Sequence, residues 1–162
     1  MKLKLSPALI GLITGIVMIA IVMITYSTRL SQESPLQYLV FIAYAAGIAW
    51  AILFYTRSEL YSGGFWNAFN PGLRCFVTVI LLMVAFTIIF NKMHPEFITE
   101  SAALYKDMLV KEKGKTPAEI DEMVDGFKSG YLTMLVYRSI FGYLIIGAIV
   151  TAITAAITSR RK

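Results

Sequence analysis

Ala8-Leu9-Ile10-Gly11-Leu12-Ile13-Thr14-Gly15-Ile16-Val17-Met18-Ile19-Ala20-Ile21-Val22-Met23-Ile24-Thr25-Tyr26 carries no charged residue and decides the fold. As a helix, its 19 residues rise about 28 Å, close to a hydrocarbon core of about 30 Å. Three more stretches of that length follow: Leu36–Tyr55, Gly72–Phe90 and Ser139–Thr158. The expected class is an all-α membrane protein, one integral membrane domain over residues 1–162 with four transmembrane helices. A hydrophobic share of 57% and a mean hydropathy of +0.69 exceed what a soluble domain of 162 residues carries.

Charge placement sets the expected orientation. Lys2, Lys4, Arg57, Arg74, Arg160, Arg161 and Lys162 fall at span ends that share one side if the N-terminus is cytoplasmic. The turn from Arg29 to Pro35 carries Arg29 and Glu33, which balance. A bacterial inner-membrane location with both termini in the cytoplasm follows. Lys2 and Lys4 before an apolar run imitate a signal peptide. The run is longer than a signal core, and Tyr26-Ser27-Thr28-Arg29 offers no small-x-small cleavage site, so it reads as an uncleaved first span. The net charge of +5 does not point to nucleic acid, because no basic stripe interleaved with aromatics is present.

Between spans two and three, Phe65, Trp66 and Phe69 share one side of a short helix and read as anchors in the inner headgroup zone. Gly63-Gly64 turns the chain, and Pro71 suits the first residue of span three. A docking surface for a cytoplasmic partner is the sharper reading of the same aromatics.

The insert over residues 91–130 is polar enough to leave the membrane. Ala102, Ala103, Leu104, Tyr105, Met108 and Leu109 make one apolar face, Lys111 and Lys113 fall in the last turn, and Gly114 is the expected C-cap. Thr116-Pro117-Ala118-Glu119 reads as a capping box with proline at the first helical position. Ile120, Met123, Val124 and Phe127 then follow at i, i+3, i+4 and i+7. The spacing predicts a periplasmic amphipathic helical hairpin of two short helices. It serves either as a cap over the bundle or membrane surface, or as a protein-binding surface.

Polar residues at membrane depth are the functional candidates. Arg138 reads as interfacial, because the 20 residues from Ser139 to Thr158 already suffice for a span. Arg74 reads the same way at the opposite face, and Glu59 as a solvated carboxylate near Arg57 and Arg74. His94, the single histidine, stands beside Glu96 but lacks a second nitrogen or sulfur ligand at metal spacing. Cys75, the single cysteine, reads as a small packed residue. No catalytic signature, metal motif or phosphate loop is present, so neither an enzyme nor a cofactor is expected. Gly11-x-x-x-Gly15 and the series Ala148, Ala152, Ala156, extended by Gly142 and Gly147, offer small faces for helix packing. Thr151, Thr154 and Thr158 are placed to return hydroxyls to backbone carbonyls.

Five segments taken together resemble a known family: Leu9-Ile10-Gly11-Leu12-Ile13-Thr14-Gly15-Ile16-Val17, Ser62-Gly63-Gly64-Phe65-Trp66-Asn67-Ala68-Phe69-Asn70-Pro71-Gly72-Leu73, His94-Pro95-Glu96-Phe97, Lys115-Thr116-Pro117-Ala118-Glu119-Ile120-Asp121 and Leu144-Ile145-Ile146-Gly147-Ala148-Ile149-Val150-Thr151-Ala152-Ile153. The chain resembles the domain-of-unknown-function family 4199, small bacterial membrane proteins mainly of Bacteroidota. It departs from that family at His94, where members tend to carry aspartate, and at Asn70-Pro71. The resemblance implies a four-span inner-membrane architecture and brings no activity or catalytic residue. The expected function is a non-enzymatic accessory or scaffold subunit of an envelope complex, with a small oligomeric transporter or channel protomer as the alternative. The expected contacts are the lipid bilayer and either a membrane-protein partner or further copies of the chain.

Overall fold

The computed structural model describes residues 5–27, 36–59, 61–112 and 114–160. Lys2, Lys4, the turn Arg29–Pro35 with Glu33, Lys113, Arg161 and Lys162 lie outside the described residues. Five helices follow in order: α1 (Pro7–Ser27), α2 (Leu36–Thr56), α3 (Phe65–Met93), α4 (Glu96–Lys111) and α5 (Pro117–Ser159). No strand occurs among the described residues. α1, α2, α3 and α5 are long and apolar enough to cross a membrane, which makes this a multi-pass membrane protein in contact with lipid.

Local chemistry sets the helix starts. The Ser6 hydroxyl accepts from the Leu9 N–H at 3.2 Å, and Pro7 fills the first position of α1. Gly63 and Gly64, at φ of +85° and +87°, reverse the chain before α3. The Asn67 amide then donates to the Ser62 hydroxyl at 2.7 Å and the Gly63 carbonyl at 2.9 Å.

Two expectations are corrected here. Phe65–Phe69 is no separate interfacial helix: α3 begins at Phe65 and runs for 29 residues, with Pro71 inside it. Proline removes one hydrogen bond there, the one an N–H at position 71 would give the Asn67 carbonyl, and the buried packing of Ala68, Pro71, Gly72 and Cys75 outweighs that loss. The second helix of the hairpin is likewise not short. α5 starts at Pro117 and continues for 43 residues into the fourth span, through Gly126 and Gly130. Each glycine costs a helix roughly 0.5–1 kcal/mol, too little to break it.

The chain divides into two compact units. The first comprises Met1–Met83 with Ile140–Lys162 and holds the bundle. Its helices meet at glycines. A Cβ on Gly11 would sit 2.5 Å from the Cys75 carbonyl oxygen, and one on Gly15 would sit 2.5 Å from Leu82 Cδ2. Gly47 receives the Thr14 side chain, Gly72 faces Thr151 Cγ2, and Gly147 faces the Tyr44 hydroxyl and Phe76. The expected Gly11/Gly15 face therefore packs α1 on α3. The face of α5 is displaced by one residue from the alanine series: Gly147, Thr151, Ala155 and Thr158 are buried, while Ala148, Ala152 and Ala156 are only partly covered.

The second unit, Val84–Ser139, has its own core of Ala102, Leu109, Ile120 and Val124, flanked by Tyr105 and Phe127. The Tyr105 and Phe127 rings stack at 4.7 Å, and Ser101 hydrogen-bonds Tyr131 through their hydroxyls at 3.0 Å. Lys106 pairs with Asp121 at 2.7 Å. The capping box forms: the Thr116 N–H and hydroxyl both donate to Glu119 Oε2, at 2.7 and 2.9 Å, and the Glu119 N–H points back to the Thr116 hydroxyl. α4 ends at Lys111 with Glu112 as its cap, and Gly114, at φ +131°, stands in the connecting turn rather than capping the helix.

Glycine substitutions separate these two situations. Gly47→Ala drives a methyl into the stiff, buried Thr14 side chain and is expected to cost about 1–3 kcal/mol. Gly126→Ala and Gly130→Ala meet nothing within 4 Å and are expected to stabilise by about 0.5–1 kcal/mol each. Thermal unfolding of the three variants in one detergent checks the contrast, and a destabilised Gly126→Ala would contradict it.

Candidate functional site

Inside the bundle, three buried residues give their hydroxyls to helix backbones. Thr14 donates to the Ile10 carbonyl at 2.8 Å, and Thr158 to the Thr154 carbonyl at 2.6 Å. Tyr44 is fully buried, and its hydroxyl crosses from α2 to donate to the Tyr143 carbonyl of α5 at 2.9 Å. Gly147 makes this reach possible, because a side chain there would occupy the place of the Tyr44 hydroxyl. The Tyr44 and Tyr143 rings meet edge to face at 5.5 Å. Sequence reasoning passed over Tyr44. Its signal was its place on the stripe Val40, Tyr44, Gly47, Ile48, Ala51, the buried face of α2.

Cys75 is buried as a packed residue, with Sγ 3.8 Å from the Gly47 carbonyl oxygen. Thr151 Oγ1 departs from the expected back-bonding: it is the one buried side-chain polar atom without a hydrogen-bond partner among the described residues. Its methyl, not its hydroxyl, faces Gly72.

The charged candidates are exposed side chains without an acid–base partner among the described residues: Arg74 and Glu59 in the first unit and Arg138 in the second. Phe65, Trp66 and Phe69 do come together, with ring centroids 5.4, 5.6 and 5.8 Å apart, and Trp66 is 76% exposed. They form one aromatic knob on the opening turns of α3, the kind of surface that prefers the headgroup zone.

His94 occupies the corner between α3 and α4, inside an aromatic group. Its ring lies 4.7 Å from Phe90 and 5.9 Å from Phe97, and Phe90 stacks on Phe86 at 5.2 Å. Nδ1 donates to Glu96 Oε1 at 2.7 Å. The backbone hydrogen bond at Glu96, at the start of α4, holds its carboxyl below the usual range, and the His94 bond lowers it further. No group of three potential metal ligands occurs among the described residues. The corner is a polar clasp of two side chains on an aromatic bed.

A family model described as a protein of unknown function, DUF4199, matches residues 9–160, nearly the whole chain. Neither a curated protein nor a solved structure matches it.

The two forces on Glu96 can be separated by titration. The carboxyl is expected to ionise below the ordinary value of about 4.3. His94→Ala should move its midpoint only part of the way back, since the backbone bond remains. The lowered value means this carboxylate favours the folded corner above the usual carboxylate range, and that contribution disappears as pH falls through the lowered midpoint. Carbon-detected NMR of labelled glutamate reads the midpoint. No movement in His94→Ala would remove the clasp from the account.

Proposed function

We propose that this chain, which belongs to the DUF4199 family, is a bacterial inner-membrane protein that serves as a non-enzymatic accessory or scaffold subunit of an envelope complex. The reading keeps both termini in the cytoplasm and the α4–α5 hairpin in the periplasm, following the distribution of Lys and Arg. One observation carries it. On α4, Leu104 and Met108 are one turn apart on the same face and remain 68% and 64% exposed, although the opposite side of that helix is buried at Ala102 and Leu109. An amphipathic helix whose core face is already covered and which still presents large apolar side chains has surface left for a protein contact. The bundle supports the same reading from the other direction. The Thr14 and Thr158 hydroxyls are taken up by their own helix backbones and the Tyr44 hydroxyl ties α2 to α5, which suits a rigid platform better than a polar pathway.

The test is to extract the tagged protein from its own membrane in a mild detergent and weigh it by native mass spectrometry. A stoichiometric second protein is expected, and the double variant Leu104→Glu/Met108→Glu should lose it while keeping the wild-type thermal transition. A homo-oligomer without a partner would overturn the scaffold reading in favour of the transporter or channel protomer, which liposome flux would then examine. Retention of the partner by the double variant would remove α4 as the contact surface.

A further inference from the structure

Arg138 is the only charged residue between Lys128 and Arg160, a run in which every other side chain is uncharged. The 21 residues from Ser139 to Ser159 are one uninterrupted part of α5 and rise about 32 Å, a full hydrocarbon thickness. With Arg160 at one end of that length, Arg138 stands at the headgroup level of the other. Side chains on a helix lean toward its N-terminus, which for Arg138 is the direction out of the hydrocarbon. Tyr137, next to it in sequence, is of the interfacial kind and 59% exposed.

The guanidinium is also unclaimed by acid. Positions 134, 135, 141 and 142, which a helix places beside it, hold Met, Leu, Phe and Gly. The nearest acid preceding it on α5 is Asp125, 13 residues or about 20 Å away along the axis. Arg138 makes no ion pair among the described residues and is exposed. A planar cation with five N–H donors, held at headgroup level with no carboxylate partner, matches one abundant anion of that zone, the phosphate diester of a phospholipid.

We propose that Arg138 is a phospholipid-binding residue that takes the lipid phosphate in a two-pronged hydrogen bond, with exposed Phe141, one turn further along α5, beside the glycerol and upper acyl chains. The site is independent of whether the protein serves as a scaffold or a transporter, since it concerns lipid alone.

The test measures lipid retained by the purified full chain in native mass spectrometry, titrated with phosphatidylglycerol and, separately, with diacylglycerol, which has the same tails and no phosphate. Wild type is expected to keep one phosphatidylglycerol more than Arg138→Gln, with affinity about tenfold higher, and to show no such difference for diacylglycerol. Arg138→Lys keeps the charge but loses the fork, and should bind severalfold more weakly than wild type. Being the conservative change, it carries the test even where Arg138→Gln is not recovered. Equal retention by wild type and both variants would overturn the proposal. Full competition by millimolar inorganic phosphate would also overturn it, by making the residue a site for free anions rather than for lipid.

Discussion

The bundle depends on how closely its helix backbones approach. Lipid tails are as apolar as leucine, so helices in a membrane gain little from burying apolar surface against each other and hold together by contact and hydrogen bonding. Five glycines supply the approach. Gly11 lies against the Cys75 carbonyl, Gly15 against Leu82, Gly47 against Thr14, Gly72 against Thr151, and Gly147 against Tyr44 and Phe76. Each removes a methyl group where the partner element needs the space. The hydrogen bond from Tyr44 to the Tyr143 carbonyl follows from the last of these, because a side chain at position 147 would displace the hydroxyl. The packing of Cys75 beneath the Gly47 carbonyl depends in the same way on α2 and α3 being close.

This dependence also explains which parts of the fold could be read from sequence. The four long apolar helices were legible because an apolar run of bilayer length stands out in any sequence, and the four stretches fall within α1, α2, α3 and α5. The capping box at Thr116 and Glu119 was legible because its geometry is local, fixed by residues three apart. The hairpin core was legible at Ile120 and Val124 for the same reason of spacing.

What was not legible depends on partners distant in sequence. The alanines at 148, 152 and 156 look like the packing face of α5. However, one residue turns a helix by 100°, and the side actually covered is decided by where Tyr44, Phe76 and Gly72 stand on other helices. The run of α3 through Pro71 was hidden likewise. Proline suits a helix start, and its toleration seven residues in rests on burial that no local pattern announces. Of the candidate residues, His94 and Glu96 were visible as near neighbours in sequence, but not the hydrogen bond between them. The exposure of Arg74, Glu59 and Arg138 was not visible either, because charge alone does not say which helix face a residue occupies.

Helical glycines serve in two ways here, and the difference separates packing from tolerance. In the bundle every glycine of the buried faces is matched by an atom that a methyl group would strike. In the second unit Gly126 and Gly130 lie within α5, cost it helix stability, and meet nothing within 4 Å. α5 nevertheless holds its course there, since the capping box secures its start and Ile120, Val124, Phe127 and Tyr131 bind one side of it to α4. Those contacts sit at i, i+4, i+7 and i+11, and the glycines fall off that stripe, so the core of the unit is built without them. The helix over residues 117–131 is therefore held by the apolar stripe and the cap rather than by intrinsic helix propensity.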